Sequence, residues 1–221
     1  MKTFQDLQEG VYDPNILKAF FLAGGPGSGK SYVVKRGTGG LGMKIVNSDD
    51  VFEKYLKDAG LSMKMPKSEE EPRDKLRARA KQVTAARQAN YIEGRLGLII
   101  DGTGHDYDKI ATQATKLKIL GYDVHMIFVN TSLDVALARN ERRPRSVPED
   151  IVKKSWNQVQ QNIGKFQQFF GNQNFIIVDN NDIGDNVFDM VGKQVRRMLS
   201  KKVNNPTAQK WIDNQLKLKQ R

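Results

Sequence analysis

The sequence predicts an α/β fold in which helices cover both faces of a parallel β-sheet. Five short apolar runs, each bounded by turn-forming residues, have the length and composition of buried strands: residues 19–23, 43–46, 96–100, 124–129 and 175–178. Longer segments with helical periodicity separate these runs. Strands that alternate with helices favour a parallel sheet, because each crossover between parallel strands usually carries a helix.

A helical insertion is predicted after the second strand and its helix. Residues 58–68 are rich in Gly, Lys, Pro and Met, which predicts a loop. Pro72, after an acidic run, suits the first turn of a helix that reaches about residue 93. We therefore expect residues 60–93 to shape a substrate site.

The C-terminal third is predicted to be mainly helical. Pro148 begins a helix whose apolar residues recur at helical spacing and predict one buried aromatic face: Trp156, Val159, Ile163, Phe166 and Phe170. Two final helices are predicted over about 185–202 and 207–219, on either side of an Asn-Asn-Pro break.

Composition limits the possible classes of protein. The chain has 221 residues, 38% of them hydrophobic, which favours one globular domain with an appended segment. It contains no cysteine and two histidines, so disulfides and thiolate zinc sites are excluded and any metal is expected on oxygen ligands. No run approaches the ~20 apolar residues of a membrane span, and residues 1–10 lack the order of a secretory signal. We expect a soluble, cytoplasmic protein without a membrane partner.

The net charge of +11 is unevenly distributed. Residues 193–221 contain nine basic residues and one acidic residue, a net charge of +8, which leaves +3 for residues 1–192. We therefore divide the chain into a main domain, 1–192, and a basic helical extension, 193–221. The extension is either a solvated helix face or a contact surface for nucleic acid.

One segment carries a complete phosphate-binding motif. Residues 24–31 fit G-x-x-x-x-G-K-[ST], directly after the first predicted strand and before a helix-compatible segment. Glycines let consecutive backbone N–H groups turn toward one anion, and the helix N-terminus adds its partial positive charge. The lysine pairs with the β- and γ-phosphates in such loops, and the serine binds Mg²⁺. The predicted nucleotide-binding residues are Gly25, Pro26, Gly27, Ser28, Gly29, Lys30 and Ser31.

A second glycine cluster, residues 37–42, matches the dinucleotide-binding pattern G-x-G-x-x-G. That pattern must follow a strand and open a helix, whereas this cluster follows a predicted helix and leads into a strand. We interpret it as a connector.

Asp49 and Asp50 follow the second predicted strand, at the edge of a parallel sheet where ligands bind. A carboxylate there can take the proton of an attacking hydroxyl, so Asp49 is predicted to be a general base and Asp50 to lie on the substrate side. The alternative is that Ser48 or Asp49 caps the helix that starts near residue 51.

Polar residues also follow the third strand. Asp101 is predicted to hold Mg²⁺ together with Ser31, or else to orient neighbouring loops. Thr103 is a candidate substrate contact. His105 is interpreted as incidental, and His125, inside a strand, as structural.

An arginine-rich segment, residues 139–147, is predicted to be a lid between two helices. Its arginines would stabilise negative charge on a transferred phosphoryl group. Arg139 and Arg143 are the predicted catalytic members, with Arg139 also contacting nucleotide, and Arg142 is a candidate substrate contact. The alternative is a solvated basic turn.

These motifs, in this order, resemble the P-loop kinases related to bacteriophage polynucleotide 5′-hydroxyl kinase and to zeta-toxin-like kinases. The resemblance spans about residues 18–170 and rests on GGPGSGKS, on NSDD, on IIDGT and on ARNERRP. It implies a P-loop three-layer sandwich with a five-stranded parallel sheet of the nucleoside-monophosphate-kinase type, and it implies ATP with Mg²⁺ as ligands. It also maps the general base onto Asp49 and the lid arginines onto Arg139 and Arg143. In one departure from the family, Gly102 separates Asp101 from Thr103.

The sequence therefore favours a kinase that moves the γ-phosphoryl group of ATP to a hydroxyl of a nucleic acid or nucleotide. A 5′-hydroxyl end or a hydroxymethylated pyrimidine base in DNA is the expected acceptor, in the host cytoplasm if a phage encodes the protein. One alternative is a zeta-toxin-like kinase of a nucleotide sugar or small metabolite. The other is a non-catalytic ATP-binding switch whose contact surface is the basic extension.

Overall fold

The computed structural model describes residues 11–64, 66–182 and 185–219. The elements of these residues alternate as predicted: β1 Lys18–Ala23, α1 Lys30–Thr38, β2 Lys44–Val46, α2 Ser48–Asp58, α3 Glu70–Glu93, β3 Leu98–Asp101, α4 Tyr107–Ile119, β4 Asp123–Asn130, α5 Leu133–Glu141, α6 Glu149–Phe170, β5 Phe175–Asp179, α7 Asp185–Leu199 and α8 Pro206–Lys219. All five predicted strands are confirmed, each within two residues of its predicted ends. The N-terminal segment considered as a secretory signal lies outside the described residues.

The strands form one parallel sheet in the order β2-β3-β1-β4-β5. In the register, Phe21 of β1 is paired with Ile100 of β3 and with Met126 of β4. Because every strand runs in the same direction, all five end along one side of the sheet, here called the carboxyl edge. The opposite side, where the strands begin, is the amino edge. The predicted five-stranded parallel sheet is confirmed.

Helices cover both faces of the sheet. On one face, Phe20 and Leu22 of β1 pack with residues of α1 and α7, including Val34 and Val191. On the other face, Phe21 packs with residues of α4, α6 and α8. The predicted buried side of α6 is present, since its Val159, Phe166 and Phe170 are buried and its Ile163 packs against them. Each fully buried side chain of this size contributes roughly 1.5–3 kcal/mol.

The predicted insertion, residues 60–93, contains helix α3, which packs against α2 around a small core of Phe52, Leu56 and Ala80. Helix α3 begins at Glu70, two residues before Pro72, after a short 3-10 turn at Lys67–Glu69. Proline is tolerated there because the first turn of a helix has no intrahelical partner for its N–H groups. Arg73, Asp74 and Arg77 of α3 line the same cavity as Asp49 and Asp50 of α2.

The C-terminal helices pass around the amino edge. Helix α7 ends at Leu199, three residues earlier than predicted, and packs on the α1 face, whereas α8 packs on the opposite face through Ala208. Gly121, which has a positive φ of 100°, allows this contact, because a Cβ there would lie 2.9 Å from the Ala208 nitrogen. Arg95, just before β3, stacks over Trp211 of α8 at 5.8 Å. Helix α8 thus lies at the amino edge.

Candidate active site

The phosphate-binding loop lies between β1 and α1, at the carboxyl edge. All seven predicted nucleotide-binding residues, 25–31, line one cavity of about 680 Å³. Gly27 has a positive φ of 80°, and a Cβ there would lie 2.0 Å from the Ala136 carbonyl oxygen, so the loop can pack against α5 only with glycine at this position. Helix α1 begins at Lys30, and its N-terminal amides therefore face the cavity. The strand, loop and helix occur in the order that a phosphate-binding loop requires.

The second glycine cluster has a different setting. Gly37 and Thr38 form the last turn of α1, and the chain from residue 39 connects this helix to β2. The prediction of a connector is confirmed for residues 39–42, and the pattern neither follows a strand nor opens a helix.

The loop lysine and serine both lie beside Asp101, at the end of β3. Lys30 Nζ is 3.5 Å from Asp101 Oδ1, and Ser31 Oγ donates a hydrogen bond of 3.2 Å to Oδ2. Asn47 Nδ2 also donates to Oδ2, at 3.0 Å. Asp101 Oδ1 is buried and accepts no hydrogen bond within the described chain. The predicted pair Ser31 and Asp101 therefore offers a hydroxyl and a carboxylate oxygen at one point, which is the donor set that Mg²⁺ prefers.

Asp49 lies in the first turn of α2 and lines the same cavity. The alternative that Ser48 or Asp49 caps α2 is wrong, because Asn47 is the N-cap and accepts a hydrogen bond of 2.8 Å from the Asp49 backbone N–H. The Asp49 carboxylate is thereby free to contact other side chains. Arg77 Nη1 lies 2.7 Å from its Oδ1, and Arg145 Nη2 lies 3.1 Å from its Oδ2.

The surroundings of Asp49 keep it ionised. Burial alone would raise the pKa of the Asp49 carboxyl, but the guanidinium of Arg145, followed by Arg77 and Lys30, outweighs burial. The net pKa lies below the ordinary value, as expected where a carboxylate accepts charge-assisted hydrogen bonds. A carboxylate beside a phosphate-binding loop is available as a proton acceptor at neutral pH.

Arg77 and Arg145 were not among the residues predicted from the sequence. Their guanidinium groups lie 4.8 Å and 5.9 Å from the ring of Phe52 in α2. Arg145 also binds Glu53, with its Nε 3.3 Å from the Glu53 carboxylate. The sequence nevertheless indicated the region of each residue. Arg77 belongs to the insertion that was predicted to shape the substrate site, and Arg145 belongs to the predicted lid.

Asp50 lines the cavity next to Asp49. Burial raises the pKa of its carboxyl, and the neighbouring carboxylates of Asp101, Glu53 and Asp49 raise it further. Asn47 Nδ2 lies 3.4 Å from Asp50 Oδ1. The structure thus brings both aspartates of the predicted pair to the cavity, in different electrostatic environments.

The lid arginines divide into those that line the cavity and one that does not. Arg139 lies inside α5, where its guanidinium donates to the carbonyl oxygens of Asn180 (2.7 Å) and Asn181 (3.1 Å), and it lines the cavity. Arg143 is exposed and also lines it. Arg142 caps the C-terminus of α5, is exposed and does not line the cavity. The position of Arg142 gives no support to its predicted substrate contact.

Two hydrogen bonds join the two ends of the lid segment. Asn140, which is buried, donates a hydrogen bond of 2.7 Å to the Val147 carbonyl and accepts one of 3.0 Å from the Val147 N–H. These two bonds join the end of α5 to Val147, which precedes α6, and Arg145, which lies between Asn140 and Val147 in the sequence, lines the cavity.

The segment after β3 is fixed against the phosphate-binding loop. The Thr103 carbonyl accepts a 2.9 Å hydrogen bond from the Gly24 N–H, and the Thr103 hydroxyl is hydrogen-bonded to His105 Nδ1. Thr103 lines the cavity and His105 is exposed. His125 is buried inside β4 and stacks on Phe20 at 4.7 Å, as its structural interpretation predicts.

Asn180, directly after β5, supports the loop and was also missed from the sequence. Its side chain is buried, lines the cavity and donates a hydrogen bond of 2.7 Å to the Ser28 carbonyl. Its position at the end of a predicted strand is the signal that would have identified it.

Among residues 11–64, 66–182 and 185–219, no cluster of three or more His, Asp or Glu side chains is arranged to hold a metal ion. Within the same residues, no helix combines the length and the apolar character needed to cross a bilayer.

Comparison with known proteins supports the assignment of the fold. A family model described as zeta toxin matches residues 6–188, most of the chain. No curated protein sequence matches significantly. The PezAT chromosomal toxin-antitoxin system of Streptococcus pneumoniae is similar in structure, with a TM-score of 0.58 and 15% identity over 83% of this chain and 87% of that chain.

Kinases are also among the similar solved structures. A putative kinase from Chloroflexus aurantiacus has a TM-score of 0.55 and 17% identity over 81% of this chain and 97% of that chain. The Pnkp1/Rnl/Hen1 RNA repair complex has a TM-score of 0.52 and 18% identity over 74% of this chain and 49% of that chain. These likenesses, together with the sheet order, show that the chain has the P-loop NTPase fold.

Proposed function

We propose that the chain, which belongs to the zeta toxin family, is an ATP-dependent phosphotransferase whose acceptor is a hydroxyl group. The observation that carries the proposal is the arrangement of the cavity. A phosphate-binding loop ending in Lys30 and Ser31 forms one wall, and the carboxylate of Asp49 lies on the same cavity. A carboxylate on the cavity supplies the proton acceptor that transfer to a hydroxyl requires.

The nucleotide half of the site accounts for binding and charge stabilisation. Backbone N–H groups of Gly25 and of residues 27–31 would surround the phosphates of ATP, and Lys30 would pair with the β- and γ-phosphates. Ser31 and Asp101 fit a Mg²⁺ ion, which when bound would neutralise charge on the same phosphate oxygens. Arg139 and Arg143 line the cavity from the lid and are the proposed stabilisers of the transferred phosphoryl group.

The acceptor half of the site accounts for the transfer. The acceptor hydroxyl oxygen attacks the γ-phosphorus and forms a new O–P bond, while the bond from phosphorus to the β–γ bridging oxygen breaks and ADP leaves. The hydroxyl proton passes to Asp49, which is ionised before the reaction. Asp50 and Thr103 are proposed to contact the acceptor.

Charge on the acceptor side favours a phosphate-bearing acceptor. Arg73, Arg77 and Arg145 line the cavity that Asp49 lines, and the last two contact its carboxylate. Guanidinium groups match phosphate geometry and are enriched where phosphates are recognised. We propose a hydroxyl on a nucleic acid, such as a 5′-hydroxyl end or a hydroxymethylated pyrimidine, or on a nucleotide.

A nucleotide sugar is the second candidate acceptor. The match to the zeta toxin family favours it, and it would offer the same arginines a diphosphate. The basic extension does not discriminate between the candidates, because α8 packs at the amino edge, opposite the phosphate-binding loop.

The test is incubation of the protein with γ-labelled ATP and a panel of 5′-hydroxyl oligonucleotides, hydroxymethylated DNA, nucleotides and nucleotide sugars. The expected result is label on one acceptor class with the wild type, and loss of label with Asp49→Asn although ATP binding persists. Label on no acceptor, with ATP bound by both proteins, would favour the ATP-binding switch instead.

A further inference from the structure

The carboxylate of Asp49 is held by two arginines that differ in how firmly they are fixed. The side chain of Arg145 is 11% exposed and also binds Glu53, and its segment is closed by the two hydrogen bonds between Asn140 and Val147. The side chain of Arg77 is 37% exposed, and Asp49 is its carboxylate partner within the described chain. Of the two, Arg77 is the one that can leave Asp49 at low cost.

A carboxylate held in this way is a poor acceptor for the proton of a weakly placed water molecule. Arg77 Nη1 donates a hydrogen bond of 2.7 Å to Asp49 Oδ1, and Arg145 Nη2 forms an ion pair with Asp49 Oδ2 at 3.1 Å. Each charge-assisted bond stabilises the ionised carboxylate and so weakens it as a base.

We infer that Arg77 is a specificity-determining residue. It makes Asp49 accept a proton from the acceptor hydroxyl in preference to a water molecule. The inference rests on the phosphotransferase function proposed above. A phosphate on the acceptor attracts the Arg77 guanidinium, since phosphate offers it a bidentate anionic partner. Oδ1 of Asp49 is then released, and it accepts the proton of the hydroxyl that the same acceptor brings to the γ-phosphate.

The side reaction that Arg77 suppresses is hydrolysis of ATP. In that reaction a water oxygen forms the bond to the γ-phosphorus, the bond to the β–γ bridging oxygen breaks, and ADP and inorganic phosphate are the products. The water proton goes to Asp49, as the acceptor proton does in transfer. While Arg77 is bonded to Oδ1, Asp49 is a weaker base for the water proton. ATP is therefore hydrolysed slowly until an anionic substrate enters the cavity.

The position of Arg77 suits this role. Its guanidinium stacks on the ring of Phe52 at 4.8 Å, and Phe52 is buried in the small core between α2 and α3. The ring keeps the guanidinium on the cavity wall when its bond to Asp49 opens. Arg79, two residues further along α3, stacks on Tyr55 at 5.3 Å and does not line the cavity, which makes it a matched control.

The experiment measures ADP formation from Mg-ATP without acceptor, and in parallel the transfer of label to the best acceptor of the panel. Arg77→Ala should raise acceptor-free ADP formation about tenfold, the effect of removing one charge-assisted hydrogen bond from the base. Arg79→Ala should leave it at the wild-type rate. The double variant Asp49→Asn with Arg77→Ala should return it to the wild-type rate or below, because the extra hydrolysis requires the carboxylate.

Arg77→Gln, which keeps most of the side-chain length, replaces Arg77→Ala if far-UV circular dichroism shows that the alanine variant is not folded. An Arg77 variant that is folded and forms ADP at the rate of Arg79→Ala would overturn the inference, as would extra hydrolysis that persists in the double variant. The acceptor arm is separate: no labelled acceptor with the wild type would remove the proposed function, while the acceptor-free arm would still decide the role of Arg77.

Discussion

The carboxyl edge of the sheet and the basic extension carry charge in opposite ways. At the carboxyl edge, acidic and basic side chains are paired across elements: Asp49 with Arg77 and Arg145, and Lys30 with Asp101. In the basic extension, described as far as residue 219, eight Lys and Arg side chains are all exposed, and none forms an ion pair with a described acidic side chain. The first set is held in place by oppositely charged partners, and the second is not, although Lys219 lies over the ring of Tyr12 at 4.6 Å.

This difference shows why the net charge of +11 is a weak guide to chemistry. A charge brought into a cavity costs solvation and is retained only with partners, so paired charges around a cavity indicate a site. Exposed unpaired charges create a field that attracts polyanions, and salt screens that field over about 10 Å. The carboxyl edge is therefore where single substitutions should be severe.

The largest effect is expected from Asp49→Asn. The change keeps the shape of the side chain but removes its capacity to accept a proton, so transfer to the acceptor should fall about 10²–10⁴-fold. ATP binding, measured by fluorescence titration with a labelled analogue, should change little because the phosphate-binding loop is intact. Transfer at a wild-type rate would show that another group accepts the proton.

Arg145→Ala should give the next largest effect. It removes a half-buried guanidinium that binds both Asp49 and Glu53, and we expect transfer to fall about 10–100-fold. Arg142→Ala is the matched control, since Arg142 belongs to the same segment, is exposed and does not line the cavity. Equal losses in the two variants would mean that the segment acts through its overall charge.

The contrast between these two arginines also marks the limit of what sequence can predict. The phosphate-binding loop was predictable because its eight residues are contiguous and its geometry is set by glycine. The strands were predictable from continuous apolar runs. Which of four neighbouring arginines faces the cavity depends on where α5 ends and on the bonds between Asn140 and Val147, and neither feature is visible in a local pattern.

Contacts between segments that are distant in the sequence could not be predicted either. Arg77 reaches Asp49 across 28 residues because α2 and α3 pack through Phe52 and Ala80, and this packing fixes which residues of α3 face the cavity. Asn180 supports Ser28 across 152 residues. In both cases the sequence identified the correct region, the insertion or the end of a strand, and the tertiary contact selected the residue.

Acid should lower the free energy of unfolding through His125, which lies in β4. Burial, with the nearby charge of Lys18, lowers the pKa of His125 to about 4 from 6.5. Because the folded pKa is depressed, the unfolded chain binds the extra proton first. The stability that neutral His125 contributes is complete above pH 6.5 and is lost as the pH falls from 6.5 through 4, by up to about 3 kcal/mol. Asp49, whose pKa is also lowered, stays ionised through most of this window.

Urea unfolding at pH 7.5 and pH 4.5 tests this prediction. His125→Phe keeps the stack on Phe20 and removes the titrating group, so the variant should lose less stability than the wild type between the two pH values. If both proteins lose the same free energy of unfolding, the acid sensitivity originates elsewhere in the chain.

The smallest effect on transfer is expected from neutralising the basic extension. Lys201, Lys202, Lys210 and Lys217 are exposed, and replacing all four with Gln removes four of the extension's positive charges without changing a cavity residue. Transfer to a mononucleotide-sized acceptor should stay within about twofold of the wild type, because screening weakens charges that lie beyond a Debye length from the cavity. Transfer to a long polynucleotide should weaken more and depend less steeply on salt, since each lost phosphate contact lowers the salt dependence. A large loss with the small acceptor would mean that the amino edge takes part in the chemistry, and the separation between the two edges would then not hold.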